Sequence, residues 1–290
     1  MKRILVQLDG DRMPSVFDAI TAYDAGADLV LQYGGVAPDD VRGLVYGAMF
    51  TRGPADLHNS AIFIGGADVA KGEALFREAR GAFFGPLQVS VMLDANGCNT
   101  TAAAAVTKLL SVEDLTGKKV VVLAGTGPVG QRASGLLAKA GADVTVAETL
   151  PTQTLERAQA ACAAIEMRFG VHVTAAAAAG ADAVRQVLEG ARAVLCTGAA
   201  GIALVPEAIW KESASLRVLG DLNAVPPLGI EGTKANWNGE VVDGKVAFGA
   251  LGIGDLKMKV HHRAIARLFE QNDAVLDAEE VFTLAKELAQ

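Results

Sequence analysis

Gly125, Gly127 and Gly130 stand in the spacing G-x-G-x-x-G within VVVLAGTGPVG. Main chain rather than side chains does the chemistry of such a stretch. The first glycine permits a tight turn, the second lets a pyrophosphate approach the backbone, and the third lets the next helix lie close on the preceding strand. Thr126, Pro128 and Val129 fill the intervening positions. Unpaired N–H groups in the helix's first turn then present a partial positive charge to phosphates. The plainer alternative is a tight strand-to-helix turn with no ligand. An acidic residue, Glu148, follows at the end of the next apolar run, Asp143 to Ala147. A carboxylate there accepts hydrogen bonds from the ribose hydroxyls of NAD+ and repels the 2′-phosphate of NADP+. No Arg or Lys lies between Glu148 and Arg157. The residues therefore favour NAD+, with NADP+, held by neutral donors such as Thr149, as the alternative.

Three further groups carry reactive side chains. In DANGCNTT, Asp94, Asn96, Asn99, Thr100 and Thr101 bring a carboxylate, amides and hydroxyls to a strand-to-helix junction. Helix caps use the same residue types, so capping alone also accounts for them. Phe17 and Asp18 offer an aromatic face and a carboxylate, although Phe17 equally suits a core. Lys257, in GIGDLKMKVHHR, is either a positioned cation or a solvated lysine at a helix start. The four histidines, His58, His172, His261 and His262, lack any ligand spacing, so no metal site is expected. Neither G-x-S-x-G nor G-K-[ST] occurs, which argues against a serine hydrolase and an ATPase.

These residues need strands and helices to hold them. Val120 to Ala124 is an apolar, β-branched run suited to a parallel strand covered on both faces. Ala133, Leu136, Leu137 and Ala140 follow at helical spacing. Further strands are expected at 2–8, 29–32, 60–64, 89–93, 171–174, 192–196, 216–220 and 246–249. Helices alternate with them, among them 67–82 with Ala70, Ala74 and Phe76 inward, and a last pair starting near Lys257 and at Ala278. The alanine tract 175–179 reads as a loop running into a helix. Ligands gather at the carboxyl ends of strands in open α/β sheets. This places Thr197 and Gly198, Asp221 and Asn223, and Gly252 around a nicotinamide. The expected fold is α/β in two domains. A smaller α/β substrate domain takes residues 1–110 with a C-terminal helix at about 270–290, and a Rossmann-type parallel-sheet dinucleotide domain takes 111–269.

The composition, 51% apolar and 20% charged over 290 residues, belongs to a well-buried globular chain. A net charge of −7 without a basic run argues against nucleic acid as a partner. No apolar run approaches the ~20 residues that span a bilayer, and the start is too short for a signal-peptide core. Three scattered cysteines give no disulfide framework. A cytoplasmic setting is expected.

The segments MPSVFDAITAYDAGAD, SAIFIGG, FFGPLQVSVMLDANGCNTTAAA, VVVLAGTGPVG, DLNAVPPLGIEG and FGALGIGDLKMK together resemble the methylene-tetrahydromethanopterin dehydrogenases of methylotrophic bacteria. The resemblance covers nearly the whole chain, and it is strongest to the branch that uses NADP+ and also accepts methylene-tetrahydrofolate. One departure stands out. That branch has a basic Gly-Arg-Lys segment after the second strand of the dinucleotide domain, where this chain has Glu148-Thr149-Leu150-Pro151. The resemblance implies oxidation of a methylene bridge on tetrahydromethanopterin or tetrahydrofolate to the methenyl form, with direct hydride transfer to NAD(P)+, in one-carbon (formaldehyde) metabolism. It also implies a homo-oligomer, with a trimer as the expected form. Phe17, Asp18, Asp94, Asn96, Asn99, Thr100 and Thr101 become the expected pterin contacts, and Lys257 falls at the active-site lysine. The product cation is delocalised over two nitrogens and no proton moves at the reacting carbon, so the rate comes from orientation and exclusion of water. An ammonium beside a developing cation raises the barrier, which casts Lys257 as an orienting group rather than a base. The alternatives are a non-enzymatic NAD(P)-binding redox sensor and an amino-acid or hydroxy-acid dehydrogenase. The latter normally shows a catalytic His or Lys paired with a carboxylate, and the sequence shows no such pair.

Overall fold

A computed structural model describes residues 1–289. In chain order the elements are β1 (Ile4–Asp9), α1 (Val16–Asp24), β2 (Leu29–Tyr33), α2 (Pro38–Met49), β3 (Ser60–Gly65), α3 (Val69–Gly81), β4 (Ser90–Leu93), α4 (Cys98–Leu110), β5 (Lys119–Leu123) and α5 (Pro128–Lys139). They continue with β6 (Asp143–Glu148), α6 (Thr154–Phe169), β7 (Thr174–Ala177), α7 (Ala181–Val187), β8 (Ala193–Cys196), α8 (Glu207–Glu212) and β9 (Val218–Asp221). The hairpin β10 (Asn238–Val242) and β11 (Lys245–Phe248), then α9 (Ala250–Arg267), β12 (Val275–Leu276) and α10 (Ala278–Ala289) complete the chain.

The chain is α/β and divides into two units. Residues 1–100 and 258–288 form the first, and residues 101–257 make up the body of the second. The sequence expectation assigns 101–110 and 258–269 to the opposite units. The difference arises because α4 and α9 are continuous helices, and a boundary inside a helix leaves no break in composition to read.

In the first unit five parallel strands lie in the order β2-β1-β3-β4-β12. β3 and β4 are buried throughout, as parallel strands covered on both faces are. Helix α3 turns Val69, Gly72, Leu75, Phe76 and Ala79 to the core. The expected inward Ala70 is exposed, because the face is set by the larger Val69, Leu75 and Phe76.

In the second unit seven strands lie in the order β7-β6-β5-β8-β9-β11-β10, parallel except at β10. Apolar side chains including Val121, Leu123, Val194, Trp210 and Leu219 fill one core of this unit. The strand order reverses between β5 and β8, which is where open α/β sheets form a ligand crevice. Two expectations fail here. The first three alanines of the tract are strand rather than loop, since β7 pairs Thr174, Ala175, Ala176 and Ala177 with β6 in parallel register. Sheet pairing overrides the weak strand preference of alanine. The helix expected to start near Lys257 begins at Ala250 instead, which makes α9 18 residues long. Its glycines obscure the helical signal in sequence.

Candidate active site

The glycine turn follows from close packing at two of its three positions. β5 ends at Leu123 and Ala124 adopts a positive φ of 52°. A Cβ on Gly125 would lie 2.8 Å from the Val122 carbonyl oxygen, and one on Gly130 would lie 2.6 Å from Gly125 Cα. The start of α5 therefore sits directly on the turn. A Cβ on Gly127 would meet nothing within 4 Å. Gly127 is the N-cap of α5, with Pro128 in its first turn, and Val129 is half-buried. Gln131 Nε2 donates to the Thr126 carbonyl at 2.6 Å and props the turn. The open space at Gly127, beside a helix start whose first N–H groups lack partners within the helix, fits a pyrophosphate.

Thr126, Gly127, Glu148, Thr149, Thr197 and Gly198 line one cavity of about 560 Å³ in the second unit. Leu150, Ala178, Val184, Ile202 and Leu204 give it apolar walls suited to an adenine ring, and Arg157 lines it too. Glu148 is buried and engaged by four donors. Its Oε2 accepts from Thr126 Oγ1 at 2.6 Å and from Arg157 Nε at 3.1 Å. Its Oε1 accepts from the N–H groups of Thr149 at 2.7 Å and Leu150 at 3.0 Å. Burial pushes this carboxyl up, but the bonds from Thr126, Leu150, Arg157 and Thr149 outweigh it and hold it below its ordinary 4.5. Thr197 Oγ1 donates to the Leu123 and Ala124 carbonyls at 3.1 and 3.0 Å, which ties the loop after β8 to the glycine turn.

Three of the expected coenzyme residues have other tasks. Asp221 is buried and accepts from the N–H groups of Asn223 and Ile230, both at 3.0 Å. Burial raises its pKa above the ordinary 3.8, partly offset by those amides and that of Gly229. Asn223 is buried as well, its Oδ1 accepting from Val225 N at 2.9 Å and its Nδ2 donating to the Pro227 carbonyl at 2.9 Å. Together they shape the 222–230 loop. Gly252 is a packing residue, because a Cβ there would lie 2.1 Å from the Trp237 carbonyl oxygen.

In the first unit the strand order reverses between β1 and β3, and that crevice gathers part of the expected pterin set. A Cβ on Gly65 would lie 2.9 Å from Asp18 Oδ2, and Asn96 N donates to the Gly66 carbonyl at 2.6 Å. Asn96 is exposed, with a positive φ of 52°. Phe17 is 50% exposed, which removes it from the core. Its ring is tilted against His261 at 6.0 Å, and the buried His261 is stacked on Phe63 at 5.6 Å. Asp94, Asn99 and Thr100 depart from expectation: all three are buried. Asp94 Oδ1 accepts from Asn99 N and Thr100 N at 2.9 and 3.0 Å, and its Oδ2 accepts from Thr100 Oγ1 at 2.6 Å. Asn99 Nδ2 donates to the Leu93 carbonyl and to Asp277 Oδ1. They pin the first turn of α4 to the end of β4. Thr101 is half-buried in the first turn of α4, and Lys257 is half-buried in the second turn of α9. Among the described residues no group of three or more His, Cys, Asp or Glu could hold a metal ion, and no helix is long and apolar enough to cross a membrane.

Comparison with known proteins decides the lineage. Residues 16–96 match the family described as methylene-tetrahydromethanopterin dehydrogenase, N-terminal. The chain is 48% identical over 290 residues to the bifunctional protein MdtA of Methylorubrum extorquens, covering 99% of each. It is 31% identical to the NAD(P)-dependent methylenetetrahydromethanopterin dehydrogenase of the same organism, again covering 99% of each. The chain belongs to the methylenetetrahydromethanopterin dehydrogenase family.

A shikimate 5-dehydrogenase from Listeria monocytogenes, solved with shikimate and NAD, has a TM-score of 0.51 at 11% identity over 98% of this chain and 96% of that one. That likeness concerns the fold alone. Within the family frame, sequence reasoning missed His261 as an aromatic support and Arg157 as the partner of Glu148. His261 carried no metal spacing, and Arg157 is brought to Glu148 only by the first turn of α6. The apolar cavity wall at Ala178 lay inside a tract that reads as featureless.

Proposed function

We propose that this protein is an oxidoreductase that converts methylene-tetrahydromethanopterin, and also methylene-tetrahydrofolate, to the methenyl form in one-carbon metabolism. The observation that carries the reading is the open space at Gly127, which lines a cavity together with Thr126, Glu148 and Thr197, in a chain of this family. Bound NAD(P)+ supplies the hydride acceptor. Backbone N–H groups at the start of α5 bind the pyrophosphate, and Glu148 receives the ribose hydroxyls of NAD+ when Thr126 or Arg157 releases it. Phe17 stacks on the pterin ring, while Asp18 and Asn96 take its polar edge. Thr101 adds a hydroxyl, and Asp94, Asn99 and Thr100 hold the turn that positions Asn96. Lys257 orients substrate and does not act as a base. No proton moves at the reacting carbon, so orientation and water exclusion account for the rate.

Purified protein mixed with each methylene-tetrahydropterin and either NAD+ or NADP+ should reduce the nicotinamide, followed by absorbance. Absence of reduction with all four combinations would remove the enzymatic reading. We also propose a homo-oligomer. Exposed Met13, Val16, Ile20 and Tyr23 support self-association of the first unit, and a monomer by light scattering at micromolar concentration would count against it.

A further inference from the structure

Among the described residues, Arg157 is the one basic side chain lining the cavity beside the glycine turn. Its Nε donates to Glu148, and among the described residues its two terminal nitrogens have no partner. The side chain is 49% exposed. Thr149, on the same wall, gives its N–H to Glu148, and its hydroxyl has no partner among the described residues. A carboxylate offers about four acceptor positions, and the bonds to Thr126, Arg157, Thr149 and Leu150 take up all four on Glu148. A ribose hydroxyl must displace one of these donors. A 2′-phosphate, by contrast, meets a guanidinium edge that is already placed and whose charge offsets the carboxylate beneath it. Planar guanidinium edges suit phosphate oxygens because two N–H groups can bind at once.

We infer that the terminal nitrogens of Arg157 and the hydroxyl of Thr149 form a receptor for the 2′-phosphate of NADP+, so that one Glu148–Arg157 pair admits both coenzymes. NAD+ uses the carboxylate, and NADP+ uses the arginine without asking Glu148 to leave its donors. The inference rests on the cavity being the adenosine end of a dinucleotide site, and the test separates the two.

Adenosine 2′,5′-bisphosphate and 5′-AMP differ only in the 2′-phosphate, and calorimetric titration of the full chain reads their binding without turnover. Arg157→Ala should weaken the bisphosphate on the order of 10- to 100-fold, in line with the strength of charge-assisted hydrogen bonds. It should leave 5′-AMP within about 3-fold or tighten it, since Glu148 regains an acceptor position. Arg157→Lys should fall between, keeping the charge without the fork, and Thr149→Val should show a smaller loss confined to the bisphosphate. Equal losses for both nucleotides, or no loss for the bisphosphate, would overturn the receptor while leaving the adenosine site standing. If wild-type protein binds neither nucleotide, the adenosine site itself fails and the receptor with it.

Discussion

Alanine at Gly127 and alanine at Gly130 add the same methyl group three residues apart, yet they should fail in different ways. At Gly127 the new Cβ meets no heavy atom within 4 Å, and φ is −74°, which alanine adopts readily. Losing glycine at an N-cap costs about 0.5–1 kcal/mol, and stiffening the unfolded chain returns about 0.4–1 kcal/mol. Stability should therefore change by less than about 0.5 kcal/mol. The methyl instead occupies the space assigned to the pyrophosphate. An overpacking penalty of about 1–3 kcal/mol, borne only in the complex, becomes a loss of roughly 5- to 150-fold in coenzyme affinity. At Gly130 the Cβ would lie 2.6 Å from Gly125 Cα and 2.7 Å from its carbonyl oxygen, so a comparable penalty falls on the folded protein before any ligand arrives. A Tm lower by roughly 2–4 °C per kcal/mol should follow. Fluorescence titration with NADH and thermal melts, run on both variants, separate the two effects. The reasoning is refuted if Gly127→Ala binds NADH like wild type, or if it lowers Tm as much as Gly130→Ala does.

Asp94→Ala leaves two buried backbone N–H groups and the Thr100 hydroxyl without their acceptor, so denaturant unfolding should show a loss of at least ~2 kcal/mol; a loss below 0.5 kcal/mol, on the order of a surface change, would make Asp94 a ligand residue after all. Gly252→Ala drives a Cβ to 2.1 Å from the Trp237 carbonyl and should lower Tm while leaving coenzyme KM unchanged in the protein that remains folded. A raised KM at unchanged Tm would restore Gly252 to the coenzyme site. Glu148 has its folded pKa held below 4.5. Its contribution to stability is therefore full above that value and disappears as pH falls through the lower folded pKa. The stability gap between wild type and Glu148→Gln, measured by urea unfolding, should narrow as pH drops below 4.5, and a gap that widens there contradicts the ionised, four-donor carboxylate. Lys257→Met should lower kcat/KM without a new pH dependence between pH ~6 and ~9, the range in which a proton-transferring lysine of depressed pKa would titrate. A steep new dependence would reveal proton transfer.

Local spacing was enough to read the glycine turn, because its demands are made by backbone within a few residues: Gly125 and Gly130 must touch, and Gly127 must stay bare. The alternation of apolar runs with helical spacing likewise identified most strands of both sheets. What a side chain does at a strand end was less legible. Asp94, Asn99, Thr100, Asp221 and Asn223 are the residue types that bind ligands and also the types that cap helices and pin loops, and sequence does not separate the two uses. Gly252 reads as a neighbour of the nicotinamide because sequence does not reveal the Trp237 carbonyl against it.

The sequence by itself determined the α/β alternation, the glycine turn and the family, since each shows in the order and spacing of residues along the chain. Only the tertiary structure decided that β7 is built from alanines, that α9 runs unbroken through two glycines, and that Arg157 meets Glu148. Each of those outcomes depends on what packs against the segment: strand β6 for the alanines, the Trp237 carbonyl beside Gly252, and for the ion pair the first turn of α6, nine residues on from the end of β6. Contacts of that kind are made by packing, and packing leaves no mark in the spacing of a single segment.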